Sequence, residues 1–371
     1  MTFSVSCFSA QRFDSWVGFS PSTSSLSRGS TGVTHPIAEQ LPSWAKANVF
    51  DSDLITQNPA LLSLLGTDTL RTHPVVVRST NAGGVYSATE SLAAVDLDTD
   101  ALANRISAAQ GIPQVSKLEV SSRWLSDEAG FSFNFNQHAQ AELFTNGSME
   151  VIRYRDFAGL LAVGGVLFDR DEIGHMEIGT GIKAIFRQGN EAAYTSEQVL
   201  AATPLVGAGA ASTKWALAGG LDYGWLYGAP RDLVGDWALQ MGIGWRDVGT
   251  TQFFLGQKTS KGRRFQALPN NIAVGFGVGT PKIFRGIRNA LRVEYLDWNR
   301  QAGASEKIAI GWEFRLPVLL SLNAGLKGGR GSGGLLLRYE GVEVGVGSYS
   351  ELIGDNSVAT RFWVLEMRGV L

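Results

Sequence analysis

The stretch Trp237-Ala238-Leu239-Gln240-Met241-Gly242-Ile243-Gly244-Trp245-Arg246 decides the fold. Every second residue is large and apolar, with tryptophan at both ends of that phase. The intervening positions hold alanine, glutamine, glycine and arginine. Successive side chains of a strand point to opposite faces, so this segment reads as a strand with one greasy face and one tiny or polar face. The pattern recurs on both sides. Upstream, Phe131, Phe133 and Phe135 alternate with Ser132, Asn134 and Asn136. Met176, Ile178, Ile182 and Phe186 alternate with Glu177, Gly179, Gly181, Lys183 and Arg187, and Trp215 to Tyr227 alternates in the same way. Downstream it returns in Ile272–Gly279, in Lys307–Arg315 and in Trp363–Arg368.

In a soluble sandwich the outward phase is rich in Lys, Glu, Thr and Ser, because glycine weakens a strand. Here the second phase is repeatedly glycine, which fits an interior lined by small and ionic residues while the bulky phase meets lipid. Closure follows, since no backbone amide can be left open to hydrocarbon. The reading is an all-β fold, a closed transmembrane antiparallel barrel. Residues 114–371, at about 18 to 20 residues per strand and turn, allow roughly fourteen strands, with twelve the next even number. Glycines of the inner phase would make room for inserted loops or helices. Asn190 to Ala211 and Thr251 to Leu268 lack alternation and read as outer loops, and Gly331-Ser332-Gly333 reads as a turn.

Composition agrees. The 371 residues include 45 glycines and 10 tryptophans, with 44% hydrophobic and 18% charged residues. A typical soluble domain has about 25% charged residues and about 7% glycine. The mean hydropathy of +0.02 is far below that of a helical membrane protein, and no run reaches the ~18 apolar residues a spanning helix needs. One cysteine excludes a disulfide framework and a cysteine-based zinc site. With 32 Lys+Arg against 34 Asp+Glu the net charge is −2, which leaves no footprint for nucleic acid.

The first 113 residues are different. Residues 1–10 read either as a plain terminus or as the remnant of an export signal. Residues 11–113 form an extended and partly helical segment expected to enter the barrel as a plug. Asn58 suits an N-cap, Pro59 the first helical position, and Leu61, Leu62 and Leu65 give the helix an apolar side. Val75-Val76-Val77 is strand-like. A second helical region from Ser87 ends at Gly111 and Pro113.

Asn58-Pro59-Ala60-Leu61-Leu62 resembles the "NPA" element of the FadL-like outer-membrane barrel superfamily. Gly181-Ile182-Lys183-Ala184-Ile185-Phe186-Arg187 is similar to a strand of its conjugal-transfer TraF-like and PorV-like members. So are Leu221-Asp222-Tyr223-Gly224-Trp225-Leu226-Tyr227, the run Arg246 to Phe253, and Leu320 to Leu326. The resemblance, in order and spacing over roughly 50–371, implies a fourteen-stranded outer-membrane barrel with an N-terminal plug. It implies one of two roles: binding or transport of a hydrophobic or lipid-like molecule, or a non-enzymatic structural or adaptor role in a secretion or conjugation machine. The implied partners are outer-membrane lipid, a hydrophobic small molecule and envelope proteins, in a bacterial outer membrane. The fatty-acid transporters' N-terminal hook is not recognisable, and the chain ends in Leu371 rather than Phe.

Catalytic signatures do not appear. His35, His73, His138 and His175 lack metal-ligand spacing, and no nucleophile elbow, Walker or dinucleotide motif occurs. No enzyme activity, cofactor or metal is expected. The candidate site is the set of charges on the glycine-containing phase: Lys183, Arg187, Arg246, Arg292, Glu294, Glu313, Arg315, Arg338 and Glu340. Two roles are open for them, pairing with one another to hold the plug or gripping a ligand headgroup.

Overall fold

The computed structural model describes residues 33–34, 54–65, 70–80, 114–126, 128–143, 148–197, 213–234, 236–259, 262, 264–281, 287–296, 298, 303–316, 320–339, 341–353 and 358–370. Its strands are β1 (Leu70–Ser79), β2 (Gln114–Leu125), β3 (Ala129–Leu143), β4 (Met149–Arg170) and β5 (Gly174–Tyr194). Then come β6 (Lys214–Gly228), β7 (Ala238–Arg246), β8 (Phe253–Gly256), β9 (Asn271–Gly279) and β10 (Arg288–Tyr295). The last are β11 (Ile308–Arg315), β12 (Leu320–Lys327), β13 (Arg330–Tyr339), β14 (Val342–Ile353) and β15 (Val358–Val370).

Each strand pairs antiparallel with its neighbours, β15 returns to β1, and β8 is a short extra strand pairing only with β6. Removing β8 from the fifteen leaves a closed ring of fourteen, the number expected from the spacing. Strand β1 starts, and β15 finishes, at the end that carries the short turns 126–128, 171–173 and 340–341. The opposite end carries the connections 80–113, 195–213, 247–270 and 296–307. Short turns face the periplasm in outer-membrane barrels and long loops face outward, which orients the ring.

The faces sort as the alternation requires. Trp215, Trp245 and Trp312 are 38–40% exposed, whereas Ala216, Arg246 and Glu313 beside them are buried. A closed ring with a greasy outside and a charged inside has the hydrocarbon as its outer solvent. The chain is therefore a transmembrane barrel of the outer-membrane type. No described helix is long and apolar enough to cross a membrane.

Four expectations need correction. Residues 70–79 belong to the ring, so it begins before residue 114. Val75-Val76-Val77 is a strand as expected, but three adjacent valines carry no alternation to mark it as part of the ring, and Val76 and Val77 are both buried. Gly331-Ser332-Gly333 lies within β13, and the turn is Gly328-Gly329, whose φ values of +56° and +77° favour glycine. Residues 251–268 are not a plain outer loop: they contain β8, bridge Thr251 to Leu268, and bury Phe253, Phe265 and Leu268. Of 190–211, residues 190–194 continue β5. The rest of that stretch from 198, the signal remnant 1–10 and the helix expected from Ser87 to Gly111 lie outside the described residues.

Candidate functional site in the lumen

Four inward glycines, Gly164, Gly179, Gly224 and Gly244, stand in register on the consecutive strands β4, β5, β6 and β7. They form a trough across the wall. A Cβ on Gly164 would meet the Pro59 carbonyl oxygen at 2.8 Å, on Gly179 the Ala60 nitrogen at 2.5 Å, and on Gly244 the Gln57 oxygen at 2.5 Å. Gly242 likewise faces the Val33 oxygen at 2.5 Å. Only residues without a side chain let this backbone approach the wall.

The segment in the trough is a short α-helix, Leu54–Gln57, followed by a 3-10 helix, Pro59–Leu65. The expected helix at Asn58 is thus present in the tighter form, with Leu61 N–H donating to the Asn58 carbonyl at 3.0 Å. Asn58 caps it: its Oδ1 accepts from the Ala60 amide at 3.1 Å. Its Nδ2 donates to the carbonyls of Val33 at 2.9 Å and Trp225 at 3.1 Å, tying two inner segments to β6. Ile55, Leu61, Leu62 and Leu65 are fully buried in one cluster with Leu125, Leu160, Ala162 and Leu226. This level of the lumen is therefore filled by packed apolar side chains.

Charges fill the neighbouring levels. Lys183 Nζ lies 2.7 Å from Asp222 Oδ1 and 2.8 Å from Asp247 Oδ1, all three buried. The Asp247 amide donates to Asp222 at 2.8 Å. Three motifs far apart in the chain, Gly181–Arg187, Leu221–Tyr227 and Arg246–Phe253, thus each contribute one member of a single ion cluster. The turn that delivers Asp247 holds two non-glycine residues at positive φ, Asp247 at 52° and Thr250 at 71°. Such backbone persists only where its surroundings over-determine it.

Arg187 is completely buried, makes a two-pronged bond to Asp156 at 2.8 and 3.0 Å, and lies between the rings of Tyr154 (4.2 Å) and Phe253 (4.7 Å). Phe265 packs against both rings, and Tyr154 donates its hydroxyl to Glu191 at 2.5 Å. This box fastens the β7–β9 connection to the wall. On the other side Arg292 binds Glu313 at 3.1 Å and the Thr34 carbonyl at 3.1 Å, while Glu294 accepts from the Val33 amide at 3.2 Å. Arg315 pairs with Glu313 at 3.0 Å. Arg338 pairs with Glu343 at 2.6 Å, and Glu343 also binds Arg368. Arg246 is buried beside Asn271 in the register of β7 and β9. Glu340 lies outside the described residues.

Of the sequence candidates, Arg292 and Glu294 touch the inner segment directly, Lys183 and Arg187 hold the folded-in connection, and Arg315 and Arg338 pair within the wall. Sequence reasoning missed the acids Asp156, Asp222, Asp247 and Glu343, and the cations Arg123, buried against Glu119 at 3.4 Å, and Arg368. Asp222 sits on the same phase as Gly220 and Gly224, so the alternation could have named it. Asp247 follows the strand in a turn, where no periodicity applies. Among the described residues no group of three or more His, Cys, Asp or Glu side chains is placed to hold a metal.

No family model and no curated protein match the chain. Solved barrels resemble it weakly. The CymD monoaromatic hydrocarbon channel is 9% identical over 94% of this chain and 97% of its own, with a TM-score of 0.46. The toluene transporter TodX of Pseudomonas putida is 11% identical over 94% and 96%, at 0.39. CdiB from Acinetobacter baumannii is 8% identical over 81% of this chain, at 0.35, and the chain spans only 60% of its length. Likeness this low decides nothing about the site.

Proposed function

We propose that this outer-membrane barrel binds or passes a small hydrophobic or lipid-like molecule at the apolar level of its lumen, with residues 54–65 as the plug. The observation that carries this reading is the apolar seam of Leu61, Leu62 and Leu65 against Leu160, Ala162 and Leu226, inside a lumen otherwise lined by charge. This packing holds the plug and is also an apolar surface that a hydrophobic molecule can share. Here a glycine-floored compartment encloses it, and an apolar molecule finds the same surroundings if the plug shifts. The seven-residue 3-10 helix fits a movable element, since its hydrogen-bond geometry is poorer than an α-helix's and runs beyond three or four residues are uncommon. The lumen charges then act by holding residues 33–34 and the β7–β9 connection to the wall, and no covalent chemistry is assigned to them.

The test is uptake of the fluorescent hydrocarbon amine N-phenyl-1-naphthylamine by cells expressing the barrel, compared with cells carrying a double-cysteine variant that cross-links plug to wall, Ile55→Cys with Gly130→Cys, where a Cβ on Gly130 would lie 2.6 Å from the Ile55 Cγ2 and its nearest neighbours are side-chain atoms. Faster uptake than empty-vector cells, abolished by oxidation and restored by reductant, is the expected result. Uptake equal to the empty-vector control sinks the transport reading.

A second reading is a structural or adaptor barrel of an envelope machine. It draws on β8 in the β7–β9 connection, where Phe254 and Leu255 are exposed while Phe253 is buried against Arg187. A partner recovered stoichiometrically from detergent extracts, and lost in the Phe254→Ser/Leu255→Ser variant, would favour it.

A further inference from the structure

Arg361 stands on the outward phase of β15. It is exposed, while its chain neighbours Thr360 and Phe362 are buried on the lumen side. The next outward residue, Trp363, is 44% exposed and lies nearer the middle of the strand. Because β15 begins at the long-loop end, Arg361 sits on the outer-leaflet side of that tryptophan, where interfacial aromatics give way to lipid headgroups.

The guanidinium reaches across two neighbouring strands. Nη1 donates to the Gly331 carbonyl of β13 at 2.7 Å and, at 3.5 Å, to Ser350 Oγ of β14, and Nη2 donates to Ser348 Oγ at 2.5 Å. A Cβ on Gly331 would meet nothing within 4 Å, so the wall is open there. All three acceptors are neutral, and no carboxylate among the described residues pairs with Arg361. The arginines inside the ring differ: Arg187, Arg292, Arg338 and Arg368 each bind an acid. Arg361 is thus held in place without its charge being cancelled. Its five N–H donors exceed the three bonds made to the wall, which leaves donors for a ligand.

The surface beside it changes character over one step of the pleat. Gly333, Ser348 and Trp363 form one outward row across β13, β14 and β15. The row next nearer the midplane is Leu335, Val346 and Leu365. A fixed cation with hydroxyls on the headgroup side and aliphatic side chains on the hydrocarbon side match an anionic headgroup joined to acyl chains.

We infer that Arg361 is the phosphate-binding point of a site for one outer-leaflet lipid that carries a phosphate monoester, as lipid A does. The phosphate accepts from the guanidinium N–H groups that the wall leaves unused, and an acyl chain lies along Leu335, Val346 and Leu365. Anchoring by Gly331, Ser348 and Ser350 removes side-chain freedom before the lipid arrives, so less is lost on binding. The assignment concerns only the membrane-facing wall and is independent of what crosses the lumen.

Native mass spectrometry of the whole barrel released from detergent tests this, after incubation with doubly phosphorylated lipid A or the same lipid freed of phosphate. The expected result is one retained phosphorylated lipid, favoured over the phosphate-free form by roughly tenfold, as a charge-assisted hydrogen bond allows. Arg361→Gln should bring the preference close to one. Ser348→Ala with Ser350→Ala keeps the charge but removes two anchors, and should lower the preference about threefold. Heat-dependent gel migration checks that each variant is folded. Excess inorganic phosphate should leave the lipid in place, because its chains still lie on the wall. No preference in the unmodified protein, or one that survives Arg361→Gln, overturns the site. An undiminished preference in the serine variant overturns the claim that the wall pre-orients the guanidinium. Displacement by inorganic phosphate overturns the lipid assignment in favour of a free anion.

Discussion

Replacing Gly179 by alanine adds a single methyl group at the floor of the lumen trough. That methyl would meet the Ala60 nitrogen at 2.5 Å and the Pro59 carbonyl oxygen at 2.7 Å. Both are backbone atoms of a helix, so no side-chain rotation relieves the contact, and the plug must move by about an ångström or leave. Overpacking of this kind costs about 1–3 kcal/mol, which shifts the docked-to-undocked ratio by about 5- to 150-fold. The assay uses a chain with Cys7→Ser and Ser63→Cys, because Ser63 is half-buried on the plug and its hydroxyl makes one local bond to the Ala60 carbonyl at 2.8 Å. The rate of maleimide labelling at position 63 reports undocking while heat-dependent gel migration shows the barrel intact. Gly179→Ala should accelerate labelling within the range above. Gly159→Ala is the control: its Cβ meets nothing within 4 Å, and it should label at the parent rate. Equal labelling of parent and Gly179→Ala would refute the claim that the glycine row exists to seat the plug, and equal acceleration by both variants would reduce it to a general loosening of strands.

Other substitutions probe the bonds around the trough. Asn58→Ala removes the cap and two buried donors at once, and a loss of about 2–4 kcal/mol of plug docking should appear in the same labelling assay. Asn58→Asp should be no better, because the carboxylate cannot donate to Val33 or Trp225. Lys183→Met leaves Asp222 and Asp247 buried together without their cation, which should cost about 3–5 kcal/mol in the denaturant midpoint of the folded barrel. Adding Asp222→Leu and Asp247→Asn should recover a large part of that loss, and a triple variant as unstable as the single would argue against the triad. Arg187→Leu empties the Tyr154–Phe253 box, so protease added to intact cells should cut within 251–268 much faster than in the parent; unchanged cleavage would show that the connection is held by other means.

The alternation in the sequence was sufficient to read the barrel and its sidedness, because period two depends only on neighbouring residues along one strand; the count of fourteen rested on chain length, over a range that left out β1. Trp245 and Arg246 fall on opposite faces whatever surrounds them. Asn58 could likewise be read as a cap from its place before Pro59. Glycine on the inner phase announced that something lies close to the wall, without saying what. The structure supplied the partners. That Gly164, Gly179, Gly224 and Gly244 form one row depends on the register between strands up to 80 residues apart, which no single strand encodes. The same holds for Lys183 with Asp222 and Asp247, and for Arg187 between Tyr154 and Phe253. Val75-Val76-Val77 was legible as a strand, but its place in the ring was not, because its pairing with β2 and β15 is set by distant residues, and 251–268 stayed obscure because its burial comes from folding back onto a distant wall. Face is a local property of a chain, whereas company inside a closed ring is set only when the ring closes.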